Sequence, residues 1–128
     1  MIIGIGTDIV AVARMRESID SMGEKFPKRL LTAFEYTVFC EKKNGPAYLA
    51  KRFAAKEAFV KALGTGFAKA ITWKQITVRN DDLGAPFLEL SGAALQRVSA
   101  LGVSRIHLSI ADEQTHAVAF VVLEGEAD

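Results

Sequence analysis

Three residues have the types and spacing to do chemistry together: Asp8, near the end of an apolar run, and Glu57 and Lys61, one helical turn apart on an alanine-rich stretch. Two carboxylates with few other ligands suit magnesium, which keeps several waters and is often completed by phosphate oxygens. A lysine beside such a cation stabilises charge on a phosphoryl group in transit. The same residues have plainer assignments. Glu57 and Lys61 stand in the i,i+4 order of a surface ion pair, and Asp8 is placed to cap a following helix or to pair with Arg14. Spacing leaves these alternatives open, because nothing in the order of residues brings Asp8 to Glu57.

Glu57 and Lys61 lie in the second half of a helix expected over residues 46–64, with Pro46 at its start and Gly64 at its stop. At about 100° per residue, Leu49, Phe53, Val60 and Leu63 form its buried stripe. Lys56 and Glu57 fall in or beside that stripe, where a charge is costly unless paired; a snorkelled Lys56 is the plain solution. Arg52 flanks the arc, and Gly64-Thr65-Gly66 makes a tight turn that backbone and ligand can approach closely. Residues 1–10 read as a buried strand, with Ile3, Ile5, Thr7 and Ile9 on one face and Ile2, Gly4, Gly6, Asp8 and Val10 on the other. The two glycines leave their face open to close approach.

A helix is expected over 11–23, with Val12, Met15, Ile19 and Met22 as its apolar stripe. Arg14, Arg16, Lys25, Lys28 and Arg29 gather charge there beside Met15, Met22 and Phe26, a composition that suits an acidic protein partner as well as a solvated face. Thr32 and Glu35 form a capping box that starts a helix running to about 43. Trp73 reads as a core anchor. Strands over 75–79 and 86–90 flank the loop 80–84, and Ser91 is placed to cap a helix over 92–101. The closing hairpin pairs 105–111 with 116–123; Ile106, Leu108 and Ile110 face inward, Arg105, His107 and Ser109 outward. The tail 124–128 reads as frayed.

At 128 residues, half of them apolar, the chain is one domain, 1–128, with an ample core. A net charge of +1 argues against nonspecific nucleic-acid binding. The single cysteine, Cys40, excludes an internal disulfide and is read as a packing residue. The two histidines lack metal-ligand spacing. No leader or long apolar segment stands out, so no membrane role is expected and a cytoplasmic location is the default.

Gly4-Ile-Gly-Thr-Asp8-Ile-Val and Arg52-Phe-Ala-Ala-Lys56-Glu57-Ala-Phe-Val-Lys61-Ala-Leu-Gly64-Thr-Gly66 together resemble the two signature blocks of the holo-acyl-carrier-protein synthases, the small class of 4'-phosphopantetheinyl transferases. The likeness extends over the chain, including an Asp-x-x-Gly-x-Pro loop ending at Pro86. It implies an α+β fold, a small antiparallel sheet packed against helices, and a homotrimer with active sites at subunit interfaces. It implies transfer of phosphopantetheine from coenzyme A to a serine of an acidic acyl carrier protein, in support of fatty acid biosynthesis. Carried over by motif, Asp8 and Glu57 hold Mg2+, Lys61 contacts the pyrophosphate, and Glu57 is the leading acceptor of the serine proton. Arg52, Lys61, Gly64, Gly66, Pro86 and His107 fall to coenzyme A, and Arg14, Met22, Lys25 and Arg29 to the carrier protein. Two positions depart from the pattern: Ala85, where many relatives have a basic residue, and Asp112, where some have a histidine. A magnesium-dependent hydrolase and a module that binds acidic proteins are the rival readings of the same residues.

Overall fold

In the computed structural model, which describes residues 1–126, strand β1 (Ile2–Ala11) leads directly into helix α1 (Val12–Met22). Helices α2 (Lys25–Leu30), α3 (Ala33–Glu41) and α4 (Gly45–Leu63) follow, then a 3-10 turn at Trp73–Gln75. A hairpin of β2 (Ile76–Asn80) and β3 (Pro86–Leu90), helix α5 (Gly92–Ala100) and a second hairpin of β4 (Val103–Asp112) and β5 (His116–Gly125) complete the chain. Strand β1 joins the second hairpin in one antiparallel sheet of order β1-β5-β4; β2 and β3 pair only with each other. This is the α+β architecture expected from the sequence.

Helix α4 is the centre. Its Asn44 side chain accepts from the Ala47 amide, Pro46 occupies its first turn, and Gly64 ends it in the left-handed conformation. It lies on the glycine face of β1. A Cβ on Gly4 would stand 2.1 Å from the Ala62 carbonyl oxygen, and one on Gly6 would stand 2.0 Å from that of Ala58. The two glycines therefore admit a helix rather than a ligand, and most of α4 is buried around its circumference, not along one stripe.

Several expectations change. Only one face of β1 is covered: Ile5 and Ile9 are 61% and 65% exposed, and with Val118 and Phe120 they form an apolar outer face on the sheet. Residues 25–30 are helical, where a turn was expected, and Met15 is fully buried while Met22 is exposed. Cys40 is exposed rather than packed, because α3 turns that side to solvent. Ser91 makes no side-chain cap; Gln75 accepts from the Ala94 amide and does the capping instead. Trp73 is half-buried, stacked on Phe67 with ring centroids 3.9 Å apart and tilted on Phe53. Glu124 and Gly125 belong to β5, where the Gly125 amide donates a hydrogen bond to the Met1 carbonyl, so the strand continues past 123. Residues 127–128 of the expected tail lie outside the described residues.

Candidate active site

The glycine face of β1 ends at Asp8, and the close approach of α4 sets that carboxylate beside the helix. Lys61 reaches across to it: its ammonium donates to Asp8 Oδ1 at 2.9 Å and to the Thr7 carbonyl at 3.1 Å. The expected Glu57–Lys61 pair is therefore replaced by one between elements, and Asp8 neither caps α1, whose N-cap is Ala11, nor pairs with Arg14. Glu57 stands alongside, half-buried. Burial, then the nearby Asp8 charge, pushes its carboxyl above the ordinary glutamate range, while Lys61 and Arg14 pull it down. Arg14, whose guanidinium lies 4.9 Å from the Phe53 ring centroid, is near enough for its charge to act on Glu57.

Two like charges brought together on purpose need a counter-cation, and one lysine already shared with a backbone carbonyl covers only part of that need. No cluster of three or more His, Cys, Asp or Glu exists among the described residues. A pair of carboxylates in partly open surroundings is the donor set of a hard cation that retains water and takes phosphate oxygens as further ligands, so the residues present fit magnesium.

A second feature lies nine residues back along α4, about 14 Å of helix. Arg52 is buried, its guanidinium 4.6 Å from the Tyr48 ring centroid, and one of its Nη atoms donates to Asn80 Oδ1 at 3.0 Å. Its Nε has no partner. Arg52 looks into a cleft of about 450 Å³ lined by α3, α4 and β2, by Gly84 of the β2–β3 loop and Pro86 at the start of β3, and by Ile110 and Asp112 of β4. Lys42, Lys51 and Arg79 join Arg52 there against one acid, Asp112. Four cations and an unsatisfied buried guanidinium N–H make a receptor for a polyanion. Lys42, Lys51 and Arg79 also place positive charge where Ala85 supplies none.

Asp8, Glu57 and Lys61 thus come together, and Arg52 and Pro86 share the cleft. Gly64 and Gly66 both have positive φ, with open space where a Cβ would point, and they shape the turn after Lys61. His107 is not brought to either place within one chain: it sits on the outer face of the sheet, 2.9 Å from Glu124 Oε1. Lys25 and Arg29 edge a shallow groove with Trp73, and Met22 is exposed at the end of α1. Sequence reasoning gave no site role to Arg79, Asn80 or Tyr48; Arg79 fell at the end of a short expected strand and Asn80 at the start of the following loop, and neither position carries a motif.

The family model described as the 4'-phosphopantetheinyl transferase superfamily matches residues 4–121. The chain belongs to that superfamily. A holo-[acyl-carrier-protein] synthase of Vibrio campbellii is 50% identical over 123 residues, covering 96% of this chain and 98% of the relative. One of Nitrosococcus oceani is 51% identical over 128 residues, covering all of this chain and 83% of the relative. Among solved structures, the holo-[acyl-carrier-protein] synthase of Neisseria meningitidis superposes with a TM-score of 0.90 at 44% identity, covering 97% of this chain and 99% of that one. The Bacillus anthracis synthase, solved in complex with CoA (3',5'-ADP), gives 0.83 at 41% identity, with 98% and 99% covered. Within the superfamily the chain groups with the holo-acyl-carrier-protein synthases and is an enzyme of that kind.

Proposed function

We propose that this phosphopantetheinyl transferase works by a magnesium-dependent attack of a carrier-protein serine on the β-phosphorus of coenzyme A. The serine oxygen–phosphorus bond forms, the bond to adenosine 3',5'-bisphosphate breaks, and Glu57 accepts the serine proton. The observation that carries this reading is the arrangement along α4: an Asp8–Lys61 pair with Glu57 beside it at one end, and a four-cation cleft around Arg52 at the other. That spacing suits a substrate with a pyrophosphate at one point and a further phosphate some distance away. Asp8 and Glu57 would hold the metal, which when bound neutralises pyrophosphate charge. Lys61 is placed to stabilise the charge that develops on the leaving bisphosphate, and burial keeps Glu57 basic enough to take a proton. Arg52 and the Gly84–Pro86 mouth orient the adenosine end, and Gly64 and Gly66 keep side chains out of the turn after Lys61.

The carrier protein docks on the basic surface of Arg14, Met22, Lys25 and Arg29, and Arg14 links that surface to Glu57. A homotrimer completes the site. Its support is the apolar outer face of the sheet, where Ile5, Ile9 and Phe120 are 61%, 65% and 46% exposed, the kind of patch that marks a protein–protein contact. Such packing would carry His107 to a neighbour's site. The product serves fatty acid biosynthesis in the cytoplasm, which cell fractionation and a conditional knockout check.

Intact-mass analysis of an apo acyl carrier protein incubated with the enzyme and coenzyme A tests the reaction. The expected result is a gain of one phosphopantetheine arm, only with magnesium, and lost in Glu57→Ala. Phosphate release without carrier modification would make the protein a hydrolase. Light scattering tests assembly: a stable, active monomer overturns the shared site.

A further inference from the structure

Among the described residues, the two fully buried charged side chains lie outside the active site. Lys56 and Glu35 are both fully buried, with Lys56 Nζ 2.7 Å from Glu35 Oε1. Lys56 spends its other two donors on the carbonyls of Leu30, at 2.7 Å, and Trp73, at 3.2 Å. Glu35 Oε1 also accepts from the Thr32 amide at 2.9 Å and the Thr32 hydroxyl at 3.2 Å, which closes the capping box of α3. Its other oxygen, Oε2, accepts from the Val78 amide at 2.8 Å.

That last bond has a specific consequence. Strand β2 pairs with β3 alone, so Val78 offers its amide on an edge without a strand partner, and Glu35 takes it. Through this one carboxylate α3 is fastened to β2, and through Lys56 both are fastened to α4. These three elements supply most of the lining of the Arg52 cleft, to which β4 adds Ile110 and Asp112. Phe34, next to Glu35, carries the Arg79 guanidinium 3.9 Å from its ring centroid. Arg79 follows Val78, and Asn80, one residue further, holds Arg52. Shifting β2 relative to α3 therefore moves Arg79 and Asn80 together, and Arg52 with them.

We infer that Glu35 is a positioning residue for the coenzyme A cleft: its carboxylate, held by Lys56, fixes the Val78 amide and so the placement of Arg79, Asn80 and Arg52 around the bound anion. This rests on the coenzyme A reading of the cleft. Glu35 touches no substrate and acts only through the groups it holds.

Single substitutions strand a buried charge and risk unfolding, so the test uses paired variants that remove the ion pair as a whole. Glu35→Leu with Lys56→Met eliminates both charges and the bond to Val78. Glu35→Gln with Lys56→Met eliminates the charges but keeps an amide oxygen for Val78. Both are compared with the parent for urea midpoint, kcat, KM for coenzyme A, KM for carrier protein, and calorimetric affinity for adenosine 3',5'-bisphosphate. The leucine variant is expected to be folded, with KM for coenzyme A and Kd for the bisphosphate raised about tenfold and KM for carrier protein unchanged. The glutamine variant is expected to stay within about twofold of the parent on both constants. A folded leucine variant with parental KM and Kd overturns the inference and leaves Glu35 a stabilising residue only. An equal loss in both paired variants also overturns it, since the ion pair and not the Val78 bond would then matter. Failure of the underlying reading looks different: the parent itself would then bind no bisphosphate.

Discussion

Helix α4 carries two lysine–carboxylate pairs, Lys56 with Glu35 and Lys61 with Asp8, whose ammonium–oxygen distances are nearly equal at 2.7 and 2.9 Å. Their surroundings differ. The first is sealed, with neither side chain exposed and all three ammonium hydrogens used. In the second, Lys61 is half in solvent, and a further carboxylate, Glu57, stands by. A sealed and fully bonded pair has nothing left to offer a ligand, whereas an open pair next to an extra negative charge is unfinished. Distance alone does not separate structure from chemistry here; the count of unsatisfied neighbours does.

The largest effect that could break this contrast is on stability. Burial pushes the Lys56 ammonium below its usual range, and the Glu35 charge opposes that shift. Lys56→Ala leaves Glu35 as an uncompensated buried carboxylate and is expected to cost about 3–5 kcal/mol in urea unfolding. Lys61→Ala, at a pair open to water, is expected to cost less than about 1 kcal/mol. Comparable losses in the two variants would make Lys61–Asp8 a structural pair.

Activity should reverse the ranking. In a folded sample, Lys61→Ala is expected to lower kcat for phosphopantetheine transfer by about 10²- to 10³-fold, as removal of a charge-stabilising donor does. Rapid-quench assays with an apo carrier protein measure it. A change confined to KM would recast Lys61 as a ground-state binder only.

The contrast also shows what the residues announced in advance. Lys56 drew notice as a charge on a core-facing arc, and it is indeed in the core; its partner was invisible because Glu35 already had a local job in the Thr32 capping box, which it keeps while bonding Lys56 and Val78 as well. Local pattern specifies such a residue once, and the fold uses it three times. Elements with strong punctuation came through well: α4 between Asn44 and Gly64, and the hairpin around the Gly84 turn. Residues 25–30 did not, because a six-residue helix holding Pro27 has too little periodicity to announce itself. The outer face of β1 misled for a different reason. Alternation identified Ile5 and Ile9 as one apolar face, but a single chain cannot say whether its own helices or another copy will cover it.

Gly6 tests how Asp8 reaches Lys61 at all. A methyl there would sit 2.0 Å from the Ala58 carbonyl, a backbone atom that cannot rotate away. Gly6→Ala is expected to push β1 off α4, costing about 1–3 kcal/mol and reducing transfer with it. Gly64→Ala, in open space but at φ 77°, should lose about 1–2 kcal/mol through backbone strain alone, with the Asp8–Lys61 contact intact. Urea midpoints and transfer rates of the two variants separate crowding from strain.

The smallest expected effect sharpens the contrast most, because it has the opposite sign. Burial and Asp8 raise the Glu57 carboxyl in the folded, metal-free protein, so the folded state holds that proton more tightly than the unfolded chain does. Stability from this group is complete below the ordinary glutamate range and is lost as pH rises through the raised value. At neutral pH the ionised Glu57 is thus a burden, and Glu57→Gln is expected to stabilise the metal-free protein by less than about 1 kcal/mol while abolishing proton acceptance. Near pH 4, where the parent carboxyl is mostly protonated, the difference should vanish. Magnesium should then raise the unfolding midpoint of the parent, with little effect on Glu57→Gln, because a cation that binds only the folded state adds stability in proportion to its affinity there. If the glutamine variant is no more stable at neutral pH and gains as much from magnesium as the parent, Glu57 is neither strained by Asp8 nor a ligand. The open end of α4 would then be finished as it stands, like the sealed one.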